Sequence, residues 1–280
     1  MRTLDKYLVG FGIWIVLIYL TGLVTSTTLR EEITIPLFWM VTFCYVYCLV
    51  LVSWPLKMPK INWWALGLLV IGLTMALPLA LIGEHILGAD AHREYYTFMQ
   101  TDITDELYIR HGYLITGCLS VTLLPTLFQD AVGAEHEQLF RALYPVLFSI
   151  FPVVVYAIAR KFVSNFYAFA AGLVVTLQPM FIWTTASART SLGTLFIALT
   201  ILALLSEENG WKKTVVLSLL GVGCFLSHYT SAFILIAILA CSLLPRVTRW
   251  VSILPLFITA LGTYYWLQHT GLDWMLTRYF

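Results

Sequence analysis

Nine stretches of this 280-residue chain are apolar over most of their length, and most of them match the thickness of a lipid bilayer. One helical crossing needs about 20 predominantly apolar residues. Hydrophobic residues make up 60% of the chain and charged residues only 11%, a balance that excludes a soluble domain of this length. The sequence therefore predicts an all-α, polytopic membrane protein whose crossings cover residues 7–27, 34–54, 61–83, 139–159, 165–185, 190–206, 213–228, 230–245 and 250–268.

The positions of the basic residues predict how these helices are oriented. With a cytoplasmic N-terminus, every lysine falls on the cytoplasmic side, as the positive-inside rule requires. The apolar segment 113–128 is short and contains Pro125. A crossing there would turn the later lysines outward, so we expect this segment to lie at the outer surface or to enter only partway. We expect a protein of the cytoplasmic (plasma) membrane with one large extracytoplasmic loop, residues 84–138, that carries surface helices.

Several classes of function are excluded by what the chain lacks. The formal net charge of +1 is too small for an electrostatic nucleic-acid binder. The sequence has no P-loop, no nucleophile elbow, no HExxH motif and no glycine-rich nucleotide motif. Its five cysteines include no CxxC pair, which favours small core residues over a metal site. We therefore expect no soluble nucleotide as a donor.

The long loop concentrates the acidic residues, and its densest part begins directly after the 61–83 crossing. Gly88 ends that segment, and Asp90 is predicted to cap a new surface helix with Glu94 one turn farther on. The two carboxylates would share one face, where desolvation raises a carboxylate's pKa and makes it a general base. The alternative is a helix cap beside a solvated cluster of Asp90, Arg93 and Glu94.

A metal site in the same region stays open. On a helix, His92 points away from Asp90 and Glu94, so these three residues would converge on a metal only in an extended strand. A hard divalent cation such as Mn²⁺ or Mg²⁺ would need Asp90 and Glu94 together with a more distant acid, Asp102 or Asp105. No cofactor is certain from the sequence.

Two polar segments interrupt the apolar crossings on the predicted outer side. Arg189 follows a run of small and hydroxyl residues, and a guanidinium near the membrane binds phosphate or carboxylate in a bidentate manner. The alternatives are an interfacial anchor or an ion pair with a loop acid. His228 joins two apolar runs with almost no loop, so a sharp turn or broken helix is predicted there. A third feature, Gln178-Pro179 inside an apolar run, predicts a kink.

Over residues 61–269 the layout resembles the GT-C superfamily of membrane glycosyltransferases, which includes protein O-mannosyltransferases and aminoarabinose transferases. One crossing, a large outer loop that opens with an acidic motif, and six further crossings are shared. The closest likeness is to an uncharacterised, largely archaeal branch, through the motifs Gly88-Ala89-Asp90-Ala91-His92-Arg93-Glu94-Tyr95-Tyr96, Phe140-Arg141-Ala142-Leu143-Tyr144-Pro145, Ser187-Ala188-Arg189 and Ser227-His228-Tyr229.

The resemblance implies a seven-span module over residues 61–280, preceded by two N-terminal transmembrane helices within residues 1–60. It implies transfer of a sugar from a polyprenyl-phosphate donor to an acceptor, which would be a glycan, a lipid or a protein. The first Asp of the loop is a catalytic base or metal ligand in that superfamily, and this role falls on Asp90. In place of an adjacent acidic pair, this chain has Asp90-x-His92-x-Glu94.

The resulting hypothesis is inverting transfer with Asp90 as the general base and Glu94 as the second catalytic carboxylate. Its other site residues divide into donor-phosphate ligands and supporting residues: Arg189, His228, Arg93 and Arg110 in the first group, His92 and Tyr229 in the second.

Two other functions stay open, a flippase or transporter of a lipid-linked substrate and a non-catalytic subunit of a glycosylation complex. The chain ends at Phe280, where many members of the superfamily continue, so a partner chain that supplies a C-terminal domain is a further expectation. A cavity lined by Asp90, Arg189 and His228 together would favour the enzyme over both alternatives.

Overall fold

A computed structural model describes residues 62–270, except for 82–84, 87, 105, 108, 110–112, 208–209 and 245–251. Of these described residues, 81% are helical and none lies in a β-strand, which confirms the all-α class. The two crossings predicted within residues 1–60 lie outside the described part of the chain, as does Arg110.

Eleven α-helices follow one another in the described residues, and we number them in chain order. They are α1 (Trp63–Leu81), α2 (Ala89–Thr104), α3 (Leu123–Val132), α4 (His136–Phe148), α5 (Phe151–Ala159), α6 (Asn165–Thr176), α7 (Pro179–Thr185), α8 (Ala188–Leu204), α9 (Trp211–Ser227), α10 (Tyr229–Ser242) and α11 (Leu254–Thr270). Each of the seven apolar stretches predicted from residue 61 onward overlaps one of these helices or a consecutive pair of them.

The helices differ in how well they suit a bilayer crossing. Helices α4 and α5 form one continuous helix, His136–Ala159, which by length and apolar composition would cross a membrane. The bent pair α6 and α7 would count as a second crossing if the two helices act as one. Trp63–Leu77, Ala188–Leu204 and Tyr229–Ser242 are apolar but shorter. The other predicted crossings stay predictions.

Two predicted interruptions of the apolar runs are confirmed. Helices α6 and α7 meet at an angle of 63° around Gln178-Pro179, where proline cannot donate a backbone hydrogen bond. His228 alone separates α9 from α10, and its backbone is extended, with φ −155° and ψ 114°. Both breaks place short polar segments at the ends of apolar helices.

The segment between α2 and α3 is packed among the ends of other helices. It contains the short 3-10 helix Leu114–Gly117, and the residues that follow this helix are mostly buried. The Leu119 amide donates to the Leu226 carbonyl at 2.7 Å, and Trp266 Nε1 donates to the Gly117 carbonyl at 2.7 Å. A side chain at Gly117 would collide with Thr270. This segment therefore packs against the C-terminal ends of α9 and α11, and its position relative to a membrane stays a prediction.

The largest buried cluster lies where the loop helix α2 meets α4 and α8. Its aromatic centre is formed by Phe98, Phe140, Tyr144 and Phe148, each no more than 4% exposed. Phe98 and Phe140 stack with their ring centroids 5.9 Å apart. The apolar residues of α2 thereby fasten the acidic loop to the helical body and bring its charged residues to the ends of α4 and α8.

Candidate functional site

Helix α2 carries the acidic motif and begins two residues earlier than predicted. Gly88 has φ +104°, a conformation that favours glycine, and its carbonyl accepts the His92 amide at 3.1 Å. The helix begins at Ala89, so Asp90 lies inside the first turn. The prediction that Asp90 is the N-cap is therefore wrong, because the backbone turn at Gly88 already starts the helix. Asp90 still places its charge at the positive end of the helix dipole.

The two carboxylates of the motif lie at different depths. Asp90 is exposed, whereas Glu94, one turn farther along α2, is fully buried. Ala91 and Phe98 are buried beside Glu94 in the face that packs on the helical body, and His92 is exposed. The predicted shared face is thus divided between an accessible carboxylate and an enclosed one.

Glu94 is held by the beginning of α8. Arg189 Nε donates to Glu94 Oε1 at 2.6 Å, and the Ala188 amide donates to Glu94 Oε2 at 2.9 Å. The side chains of Arg189 and Glu94 are 8% and 0% exposed. Burial raises the pKa of the Glu94 carboxyl, while the charge and the hydrogen bond of Arg189 oppose that rise. The ion pair with a loop acid, an alternative stated for Arg189, is the arrangement that the structure has.

The surroundings of this pair are enclosed on the side away from α2. Cys118 from the loop segment between α2 and α3 lies close by, and burial raises the pKa of its thiol to about 12. Tyr144 is 2% exposed, and its hydroxyl donates to the Ser120 carbonyl at 2.7 Å. The Ser120 hydroxyl in turn donates to the Ser227 carbonyl at 3.1 Å. The ion pair therefore sits in a network of satisfied polar groups that joins the loop to three helices.

A cavity of about 750 Å³ borders this network, since Tyr144 and Ala188 line it as well. Its charged lining residues are Asp90 and Arg141, and its hydroxyl groups come from Thr185 and Ser187. The rest of the lining is mostly apolar: Ile86, Gly88, Ala91, Phe140, Tyr144, Ile182, Trp183, Ala186 and Ala188. A volume of this size and an apolar wall with a few polar groups are typical of small-molecule sites.

The other predicted phosphate ligands lie apart from this cavity. Arg189 is behind its wall, in the pair with Glu94. The Nδ1 atom of His228 lies 2.8 Å from the Ser231 hydroxyl, and its ring centroid is 5.3 Å from that of Tyr229. Arg93 is exposed on α2, and it is not among the residues that line the cavity. The structure thus brings Arg189, His228 and Tyr229 near one another, whereas Asp90 lines the cavity without them.

The described residues do not offer a set of metal ligands around Asp90. No group of three or more His, Cys, Asp or Glu side chains within the described ranges is placed to hold a metal ion. Twelve residues separate Asp90 from Asp102 on α2, about 18 Å at the rise of an α-helix. Asp102 instead lies 2.7 Å from His136 Nε2. Asp90 and Asp102 therefore cannot share an ion, and Asp105 lies outside the described residues.

Arg141 is the site residue that the sequence reasoning missed. In the sequence analysis, the motif Phe140-Arg141-Ala142-Leu143-Tyr144-Pro145 served only as part of the resemblance to a family, and no role was assigned to Arg141. The available signal was local: Phe140 and Tyr144 lie one helical turn apart on the buried side of α4, and Arg141 follows Phe140 directly, so its charge had to emerge at the edge of that apolar face. Only the fold shows that Arg141 lines the same cavity as Asp90.

The chain was also compared with known proteins. No family model, no curated protein and no solved structure matches it.

Proposed function

We propose that this protein is an integral-membrane glycosyltransferase that moves a sugar from a polyprenyl-phosphate donor to an acceptor on the extracytoplasmic side. The observation that carries the proposal is the cavity next to α2, in which the accessible carboxylate of Asp90 lies in a mostly apolar wall. An amphipathic donor needs such a site, because its lipid tail requires apolar surface and its reacting end requires a base and a cation.

The proposed architecture is the nine-span arrangement with a cytoplasmic N-terminus. It is supported by the continuous helix His136–Ala159 and by the shorter apolar helices. In this arrangement every lysine lies on the same side of the predicted membrane. Large apolar side chains are exposed on several of these helices, among them Tyr167, Met180, Trp183, Phe257 and Tyr265. Lipid would cover these side chains in a membrane.

In the proposed reaction, the acceptor hydroxyl oxygen attacks the anomeric carbon of the donor sugar. A bond between that oxygen and the carbon forms, the bond between the carbon and the phosphate oxygen breaks, and polyprenyl phosphate leaves with the bonding electron pair. Asp90 accepts the proton of the hydroxyl, and the stereochemistry at the anomeric carbon inverts. Negative charge grows on the phosphate as it leaves.

The cation best placed for that charge is Arg141, because its side chain lines the same cavity as Asp90. We assign the phosphate contact to it in preference to Arg189, which holds Glu94. We accordingly assign Glu94 to the support of α2 and no longer to the reaction as a second catalytic carboxylate. The proposed transfer step does not use a metal ion. The assay below tests whether a divalent cation changes the rate.

The test is transfer from polyprenyl-phosphate sugars by purified protein in lipid nanodiscs, with and without Mn²⁺ or Mg²⁺. Replacing Asp90 with Asn keeps the side-chain volume and removes the base, so we expect turnover to fall roughly 100-fold or more. Asp130→Asn is the matched control, because Asp130 is an exposed acid of α3 in the same loop. Its turnover should equal that of the wild type.

Two outcomes would overturn the proposal. Wild-type turnover by the Asp90→Asn variant would remove the assigned base. Intact donor in every reaction, after several sugars and acceptors have been tried, would favour a flippase of lipid-linked substrates or a non-catalytic subunit. Vesicles with a fluorescent polyprenyl-phosphate probe would then separate these two, because only a flippase moves the probe between leaflets.

A further inference from the structure

Two of the cavity's walls come from distant parts of the chain. Asp90 and Ala91 belong to the first turn of α2, whereas Ser187 and Ala188 belong to the beginning of α8. Nearly 100 residues separate these two segments in the sequence, so their spacing depends on tertiary contacts. A general base works only within hydrogen-bonding reach of its proton, and a misplacement of about 1 Å costs on the order of 100-fold in rate.

One side chain contacts both walls. Glu94 lies one turn from Asp90 on α2, and its carboxylate accepts hydrogen bonds from two consecutive residues at the start of α8, Ala188 and Arg189. Ala188 itself lines the cavity, so the hydrogen bond from its amide links Glu94 directly to the wall. Rotation or sliding of α2 against α8 would break at least one of these two bonds.

Burial makes this connection stiff. Glu94 is 0% exposed, so water does not compete for its oxygens. Charged hydrogen bonds in a poorly solvated site are stronger and more directional than those at a surface. The carboxylate also lies at the N-terminus of α8, where the helix dipole favours a negative charge. Three separate interactions therefore hold one carboxylate in one place.

We infer that Glu94 and Arg189 are positioning residues, whose ion pair sets the distance between Asp90 and the cavity wall at Ser187 and Ala188. The inference rests on the proposed function for the role of Asp90, and on the contacts above for the geometry. It assigns Arg189 to the support of the base and not to the phosphate of the donor.

The decisive variant is the double substitution Glu94→Gln with Arg189→Gln. Removing both charges avoids an unpaired buried ion, and a glutamine at position 94 keeps an acceptor for the Ala188 amide. The matched control is Asp102→Asn with His136→Gln, which removes the other contact of this kind between α2 and a neighbouring helix. Glu94→Asp is the second test variant, because it keeps the charge and withdraws the carboxylate by one methylene group. It replaces the double variant in the same measurements if the double variant does not fold.

Two measurements are made on each variant, steady-state transfer and hydrogen–deuterium exchange by mass spectrometry. We expect kcat of the double variant to fall on the order of 100-fold while KM for the donor changes little, because the cavity lining is intact and only the base is displaced. Exchange should rise in peptides that cover 89–104 and 188–192 and stay unchanged in 211–227. The control variant should keep the kcat of the wild type.

The outcomes separate this inference from the proposed function. A folded double variant with the kcat of the wild type would overturn the inference, because the pair would then support the fold alone. If the wild type itself transfers no sugar, the proposed function fails and exchange decides the geometry. Unchanged exchange in both segments would then overturn the inference, and a rise confined to them would support it.

Discussion

Helix α2 contacts a neighbouring helix through a carboxylate near each of its ends, with Arg189 as the partner at one end and His136 at the other, and the two contacts differ in burial. Near the N-terminal end, Glu94 and Arg189 are 0% and 8% exposed. Near the C-terminal end, Asp102 and His136 lie 2.7 Å apart and are 18% and 36% exposed. Water solvates the second pair when it opens, whereas nothing replaces the partner in the first. The distance between two contacting side chains therefore says less about the importance of their contact than its surroundings do.

The same difference separates fixed from adjustable parts of the site. The Glu94 end is surrounded by Cys118, Tyr144 and the beginning of α8, all of them buried. Asp90, one turn from Glu94 on α2, is exposed and lines the cavity. We expect perturbations at the buried end to reach Asp90 and those at the Asp102 end to stay local.

The largest contrast should appear in the reactivity of Cys118. Burial raises the pKa of this thiol to about 12, so at pH 8 it carries far less of the reactive thiolate than an ordinary cysteine does. We expect N-ethylmaleimide to leave Cys118 unmodified in the native protein and to modify it after denaturation in SDS, as measured by peptide mass spectrometry. Rapid modification of the native protein would show that the Glu94 end is open to solvent.

Single removal of Glu94 should destabilise the protein strongly. In Glu94→Ala the guanidinium of Arg189 stays buried without its carboxylate, and breaking a buried pair in this way costs about 3–5 kcal/mol. The measurement is thermal unfolding in a fixed detergent, followed by circular dichroism. Glu106→Ala is the control, since Glu106 is an exposed acid just beyond α2. An equal unfolding temperature for both variants would contradict the importance assigned to burial.

The sequence predicted those features of the molecule that depend on local interactions, and it did not predict those that depend on contacts between distant residues. Apolar runs and proline act locally, so the helices from α1 onward, the bend at Gln178-Pro179 and the turn at His228 were predictable. The pairing of Glu94 with Arg189 spans 95 residues, and the spacing of charges in the sequence does not encode it. The sequence offered an ion pair with a loop acid only as an alternative and could not name the acid.

The cavity shows the same limit. Asp90 was singled out from the acidic motif, and it does line the cavity. Arg141 was not singled out, because a lone arginine at the edge of an apolar helix face is ordinary in a membrane protein. Its role as a candidate arises only when the packing of α4 against α2 places it near Asp90. Local patterns thus identified Asp90, whereas Arg141, the other charged lining residue, is recognised only from the tertiary packing.

Removal of an uncharged buried group tests whether burial or charge determines how much stability the protein loses. Tyr144→Phe removes the hydroxyl that donates to the Ser120 carbonyl and leaves that carbonyl without this donor in a buried place. Such a loss costs about 1–3 kcal/mol. Tyr96→Phe is the matched control, because Tyr96 is 55% exposed on α2. We expect a lower unfolding temperature for the first variant alone; equal values for both would contradict the role of the buried network.

The smallest effect is expected at the other end of α2. Asp102→Asn keeps the shape of the side chain and removes the charge that faces His136 Nε2. Exposed pairs of this kind contribute about 0–1 kcal/mol, and salt screens them. We expect an unfolding temperature close to that of the wild type, with any difference shrinking as sodium chloride is added. A loss as large as that of Glu94→Ala would show that the two ends of α2 are equally fixed, and Asp90 would then depend on both contacts and not on the buried pair alone.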